Sequence, residues 1–218
     1  MKQVTTQEFI DYLEEKGGPL LKNQLESYNI EMVLGDYEDM CYIHEGDLML
    51  DTNWQPETAN LIIAGSILSS DLVNCQSSHE EVDEGGSLWV LGDMKCQHFA
   101  NHYGKAVFVD GNMIVSGLAV NAFENSLLIV TQDFECHYFY GIDIWVEAGG
   151  KIRIEYGNGY GLPIGYTDAS AQSVDPRHSR EESLDLLKIS DDSDPDSLVD
   201  RIKNREVSFE KQTYGVSD

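Results

Sequence analysis

The chain has 218 residues, 41% of them hydrophobic, and a formal net charge of −25 at neutral pH. That length and apolar content suit one domain with extensions and a buried core, while the charge excludes surfaces that are themselves anionic, nucleic acid and acidic lipid among them. No apolar run reaches the roughly 18 residues of a membrane helix, and the N-terminus lacks the apolar core of a secretory signal. A cytoplasmic protein is therefore expected, with Cys41, Cys75, Cys96 and Cys136, which show no CxxC spacing, as free thiols.

Residues 1–41 read as an N-terminal capping helix and a lead-in strand. Thr5 followed three residues later by Glu8 fits a capping box, Phe9, Ile10 and Leu13 form an apolar stripe, and Gly17-Gly18 ends the helix. The stretch ESYNIEMVLGDYEDMCYI has the look of a strand feeding the next unit.

Residues 42–166 repeat. NLIIAGSILSSDLVN (60–74), SLWVLGDMKCQHFAN (87–101), AVFVDGNMIVSGLAVN (106–121) and LLIVTQDFECHYFYG (127–141) superimpose, with YIHEGDLML (42–50) as a weaker first copy. The anchors are Gly46, Gly65, Gly92, Gly111 and Gln132. Four residues before them stand Tyr42, Leu61, Leu88, Val107 and Leu128; two before, His44, Ile63, Val90, Val109 and Val130; two after, Leu48, Ile67, Met94, Met113 and Phe134. Seven after, from the second copy on, stand Leu72, Phe99, Leu118 and Phe139. Alternating apolar positions mark strands, and a short strand–turn unit repeated at near-constant period marks a solenoid, whose stacked units bury an interior that no single unit could. The anchor glycines suggest turns with unusual backbone angles, and the polar residues after them, Asp47, Ser66, Asp93, Asn112 and Asp133, suit turn amides. The fold class expected is mainly β, a parallel β-helix of about five to six rungs. A β-sandwich also yields many short strands, but it does not require side chains to match from copy to copy.

The spacing between the second and third anchors is the longest, and the surplus falls around QSSHEEVDEGG (76–86). Insertions in solenoids emerge as loops, often on the binding side. This one carries Glu80, Glu81, Asp83 and Glu84 and no base. Residues 167–218 read as a polar linker and a helical extension. TDASAQSVDPRHSREE is polar, SLDLLKI is a short apolar segment, and DSDPDSLVDRIKNREVSF reads as a helix with Asp194 as cap, Pro195 at its first position and Leu198, Val199 and Ile202 on one face.

No cofactor or metal is expected. Cys96, His98, His102, Cys136 and His137 resemble a ligand set, but Val115 separates the two cysteines by a rung, which puts the sulfurs roughly 9–10 Å apart, too far for one zinc or a disulfide. DDSDPDS lacks the glycine and glutamate of a calcium loop. Asp93 and Asp133 share a column, as catalytic acids of β-helical polysaccharide enzymes do, yet Lys95 is the single base nearby and the acids sit at turns. No nucleophile elbow, phosphate loop or Ser/His/Asp grouping stands out.

The glycine–Asp/Asn turn followed by an apolar strand, in GDLML, GSLWVLGDM and AVFVDGNMIVSGLAVN, together with the terminal SLVDRIKNREVSF, resembles a loose group of bacterial β-helical proteins found around polymorphic-toxin and contact-dependent-inhibition systems. The resemblance covers about residues 42–145 and 195–209 and implies an immunity protein, a non-catalytic cytosolic binder of a toxin domain. Charge points to the same class of partner. Residues 23–150 hold 21 Asp and Glu against Lys95 and Lys105, a net of 2 − 21 = −19, which attracts a basic protein. The candidate contacts are the loop acids Glu80, Glu81, Asp83 and Glu84, the turn acids Asp93 and Asp133, and Tyr103, Tyr138 and Tyr140 as exposed aromatic anchors. A scaffold stacking end to end and a carbohydrate-active enzyme are the alternatives.

Overall fold

A computed structural model describes residues 1–27, 30–34, 40–56, 60–75, 86–102, 105–122, 126–142, 144–158, 164–165, 176–190, 194–207 and 209. Parallel strands wind into a β-solenoid of about five turns. One sheet holds, in order, β1 (Lys2–Val4), β2 (Cys41–His44), β4 (Asn60–Ile63), β7 (Ser87–Val90), β10 (Ala106–Val109), β12 (Leu127–Val130), β14 (Trp145–Ala148) and β16 (Ile164–Gly165). The other runs through β3 (Leu48–Leu50), β5 (Ile67–Ser69), β8 (Met94–Cys96), β11 (Met113–Ala122), β13 (Phe134–Ile142) and β15 (Ile152–Gly157). It bends into a second half where β6 (Leu72–Asn74) and β9 (His98–His102) stack on the distal parts of β11 and β13. Each full rung therefore has three sides.

The register matches the sequence columns. Tyr42, Leu61, Leu88, Val107 and Leu128 lie opposite one another down the first sheet, and Leu48, Ile67, Met94, Met113 and Phe134 down the second. These two columns and the Ile63, Val90, Val109, Val130 column line one interior cluster. Stacking equal side chains at about 4.8 Å lets each fill the space its neighbour leaves, and it buries what single strands leave exposed.

The column seven after the anchor does not hold. Phe99 and Phe139 point inside, but their partners there are Val73 and Ala119, while Leu72 and Leu118 face outward. Rungs two and four carry one more residue at the corner, around Asp71 and Gly117, than rungs three and five; between β11 and β13 the register slips after Val115. One added residue turns every later side chain to the other face.

Helices clothe two of the three sides. The helix α1 (Thr6–Lys16) has the expected capping box, Glu8 N–H donating to Thr5 Oγ1 and Thr5 N–H to Glu8 Oε2. With α2 (Pro19–Ser27) and α3 (Ile30–Leu34) it packs Phe9, Leu13, Leu21 and Leu34 on the outer side of the first sheet, against Ile43, Ile62, Trp89, Phe108 and Ile129. Residues 30–34, expected as strand, are thus helical. Trp89 and Phe108 stack with centroids 3.8 Å apart. A polar chain holds this layer in place: the Trp89 indole donates to Ser87 Oγ, Ser87 to Asn60 Oδ1, and Asn60 Nδ2 to the Leu34 carbonyl.

The C-terminal helices do the same on another side. α4 (Arg180–Leu187) starts inside a stretch expected as polar linker, capped by Ser179 with Glu182. α5 (Pro195–Lys203) is capped by Asp194, with Pro195 in its first turn. Leu187, Leu198, Val199 and Ile202 pack on Leu72, Ala100, Leu118, Val120, Tyr138 and Tyr140.

At each end of the stack one strand edge is closed by the chain itself. β1 pairs antiparallel with β2. At the far end Arg177 N–H and His178 N–H donate to the carbonyls of Ile154 and Glu155 on β15. Covering edges in this way removes templates for end-to-end pairing. No helix among the described residues is long and apolar enough to cross a membrane.

Candidate functional site

The turn after each anchor is a ladder. Asp47 Oδ1 accepts from Ser66 N–H (2.7 Å), Ser66 Oγ from Asp93 N–H (3.1 Å), Asp93 Oδ1 from Asn112 N–H (2.9 Å), Asn112 Oδ1 from Asp133 N–H (3.2 Å) and Asp133 Oδ1 from Lys151 N–H (2.8 Å). Each polar side chain thus satisfies an amide of the next rung. Burial pushes the Asp93 carboxyl up, but the Asn112 backbone and side-chain hydrogen bonds and Lys95 outweigh it, and the group lies below its ordinary value.

The ladder explains the anchor glycines differently from the expectation. Among them only Gly46 adopts a positive φ, +82°. At Gly65 a Cβ would sit 2.3 Å from Asp47 Oδ1, and at Gly111 2.7 Å from Asp93 Oδ1. Gly65, Gly92 and Gly111 are there for close approach between rungs, while Gly46, with nothing within 4 Å of where a Cβ would stand, meets the expected unusual backbone angle. Gln132, the one anchor with a side chain, sits over the longest step of the ladder, and its N–H reaches the Gly111 carbonyl at 3.3 Å.

Tyr138 and Tyr140, expected as exposed anchors, are fully buried. The outer side of β13 is roofed by α4 and α5, and the Tyr138 hydroxyl donates to the Ser183 carbonyl at 2.6 Å. They hold the C-terminal helices, not a partner. Tyr103, Glu80, Glu81, Asp83 and Glu84 lie outside the described residues. Asp93 and Asp133 are partly exposed on the ladder, two rungs apart, with Asn112 between them.

The His/Cys set is dispersed. Cys96 and Cys136 point into the interior with Val115 between them. His98 sits at the corner, where its Nδ1 accepts from Leu118 N–H at 3.1 Å, and burial lowers its pKa to about 4. His137 packs edge-on to Tyr156 and Phe209 outside β13. Burial pushes the Cys75 thiol up to about 12 and raises Cys96 and Cys136 as well, so these thiols are protonated and poor nucleophiles.

Among the described residues no helix packs on the third side, the first half of the second sheet. Its outward file is Met49, Leu68, Lys95, Ile114, Glu135 and Arg153, consecutive in register from β3 to β15. Met49 is 70% exposed, and Leu68 and Ile114 are half-buried. None of the apolar clusters includes these side chains. Lys95 reaches Asp93 at 3.3 Å, and Arg153 pairs with Glu135. Sequence reasoning missed this file because its residues follow no single chemical type. It also missed Trp145, an aromatic 51% exposed on β14, whose indole donates to Glu147.

These features define a parallel β-solenoid whose described helices cover two flanks and, among the described residues, leave the third without a covering element. Comparison with known protein families, with characterised proteins and with solved structures finds no match.

Proposed function

We propose that the protein is a non-catalytic binder of a basic protein partner, and that this partner is a toxin domain of nuclease-like charge which the chain neutralises in the cytoplasm as an immunity protein. The observation that carries the reading is the distribution of charge. Residues 23–150 hold 21 acids against two bases, and of those two Lys105 is buried and Lys95 is tied to Asp93, so the described surface of this stretch carries almost no free cation. Such a surface speeds encounter with a basic domain and repels acidic competitors. The toxin-system assignment is drawn from the resemblance of the turn repeats and the terminal helix. The turn acids Asp93 and Asp133 already serve the ladder, which speaks against their use as a catalytic pair, and the covering of the β2 and β15 edges speaks against a stacking scaffold.

The test is affinity capture with the full chain in cells of the source organism, followed by co-expression of the captured protein. The reading expects a basic protein that is toxic when expressed alone, tolerated with this chain, and bound more weakly as salt rises. Recovery of only acidic or neutral partners, or of a basic one whose toxicity is unaffected, overturns it.

A further inference from the structure

We propose that the bare flank of the second sheet receives an extended basic segment of the partner, its bases over the first two rungs; this assignment rests on the binding reading above. Three observations converge on it. The first is coverage: the chain spends α1–α3 and α4–α5 on the other two sides and leaves Met49, the half-buried Leu68 and Ile114, and the heads of Lys95 and Arg153 facing out.

The second is polarity along the file. The strands of Met49 and Leu68 are flanked in the chain by Asp47, Asp51 and Asp71, all at least partly exposed, with no Lys or Arg in those two rungs. At the far end lie Lys151 and Arg153 beside Asp133 and Glu135. An apolar pair with carboxylates at the strand ends and Lys95 on the rung beyond takes a Lys or Arg side chain over Met49, whose aliphatic stem lies on Met49 and Leu68 while its head reaches an acid.

The third is size. Five rung steps of about 4.8 Å and three residues of about 3.3 Å give a strip of roughly 24 by 10 Å. That is about 240 Å², well under the ~800 Å² per partner of a standard interface. A second copy would bring a further −25 charge to this strip. A single extended segment of about seven residues spans it. The ladder holds one border of the strip rigid, so little order is lost on binding.

The experiment titrates the full chain, labelled with ¹⁵N, with a synthetic heptapeptide carrying arginine at positions 1 and 3, leucine at 2 and 5, and glutamate at 7. Amide shifts are expected at residues 47–51 and 66–71. Met49→Lys, an exposed change that leaves circular dichroism and melting unaltered, is expected to raise Kd by ~10-fold or more, for the peptide and for the captured partner alike. Shifts centred on Asp11, Glu14 and Glu15 of α1 or on Glu181, Glu182 and Asp185 of α4, or equal affinity for Met49→Lys, overturn this assignment while the basic-partner reading stands. Absence of saturable peptide binding overturns the assignment as well. Failure of the broader reading is scored by the capture experiment alone.

Discussion

Replacing Asp93 tests whether the turn ladder stabilises the solenoid. In the native protein Asp93 Oδ1 accepts from both the backbone N–H and the Nδ2 of Asn112, at 2.9 and 3.0 Å. Hydrogen bonds to a charged acceptor contribute about 1.5–3 kcal/mol in well-buried settings. Asp93 is partly exposed and water can reach the Asn112 amide, so Asp93→Ala is expected to cost about 1–2 kcal/mol and to lower Tm by roughly 3–6 °C in a chain of this size. Asp93→Asn keeps an acceptor for the backbone N–H and loses only the charge, for about 0.5 kcal/mol. The pH dependence has a fixed sign. The folded carboxyl lies below its ordinary value of 3.8, so its ionic contribution is present above that pH and is lost as pH falls through the folded value. Urea denaturation followed by circular dichroism, at several pH values from 7 to 3, should show the gap between wild type and Asp93→Asn closing below about pH 4. Equal and negligible costs for Ala and Asn, or a gap that does not narrow as pH falls below about 4, would refute the reasoning.

Other outcomes can be stated more briefly. His98 has a folded pKa of about 4 against an ordinary 6.5, so it stabilises fully above pH 6.5 and loses that contribution as pH falls toward 4; His98→Asn, which keeps an acceptor for Leu118 N–H, should flatten the stability profile across that window by up to about 3 kcal/mol. Ser87→Ala removes the acceptor of the buried Trp89 indole and should lower stability by about 1–3 kcal/mol, with a change in the tryptophan emission of the folded state. The four buried cysteines should resist a thiol reagent at pH 8 in the native protein and react together after denaturation, and fast labelling of any one in the folded state would contradict its burial.

Much of the architecture was legible because stacking makes sequence periodic. The interior columns before the anchor, and the one just after, align at fixed offsets, and the Asp194 cap and the Thr5–Glu8 box are local patterns of a few residues; the Ser179–Glu182 box is as local but sits in a stretch read as polar linker. The errors share a cause. LII, LWV, AVFV and LLIV are apolar without interruption, the signature of strands covered on both faces; read as alternation, they hid the outer layer made with α1–α3. The same double burial hid the corner slip, since Leu72 and Leu118 on the outside look no different from Phe99 and Phe139 on the inside. Tyr138 and Tyr140 were misplaced for that reason too. The bare flank was illegible because its file of methionine, leucine, lysine, isoleucine, glutamate and arginine becomes one surface only when six rungs are set in register.

The N-terminal helices bear on a row running from Ile43 in the first rung to Ile129 in the fifth. A naked solenoid melts piecewise, since each turn touches only its neighbours. Here a splint spans nearly the whole stack, so turns far apart share one fate and unfolding should be all-or-none. The splint also sets a ruler: duplicating or deleting a turn, commonplace in repeat proteins, would leave part of the row naked or part of the splint overhanging, and the number of turns is thereby locked to the length of the helices.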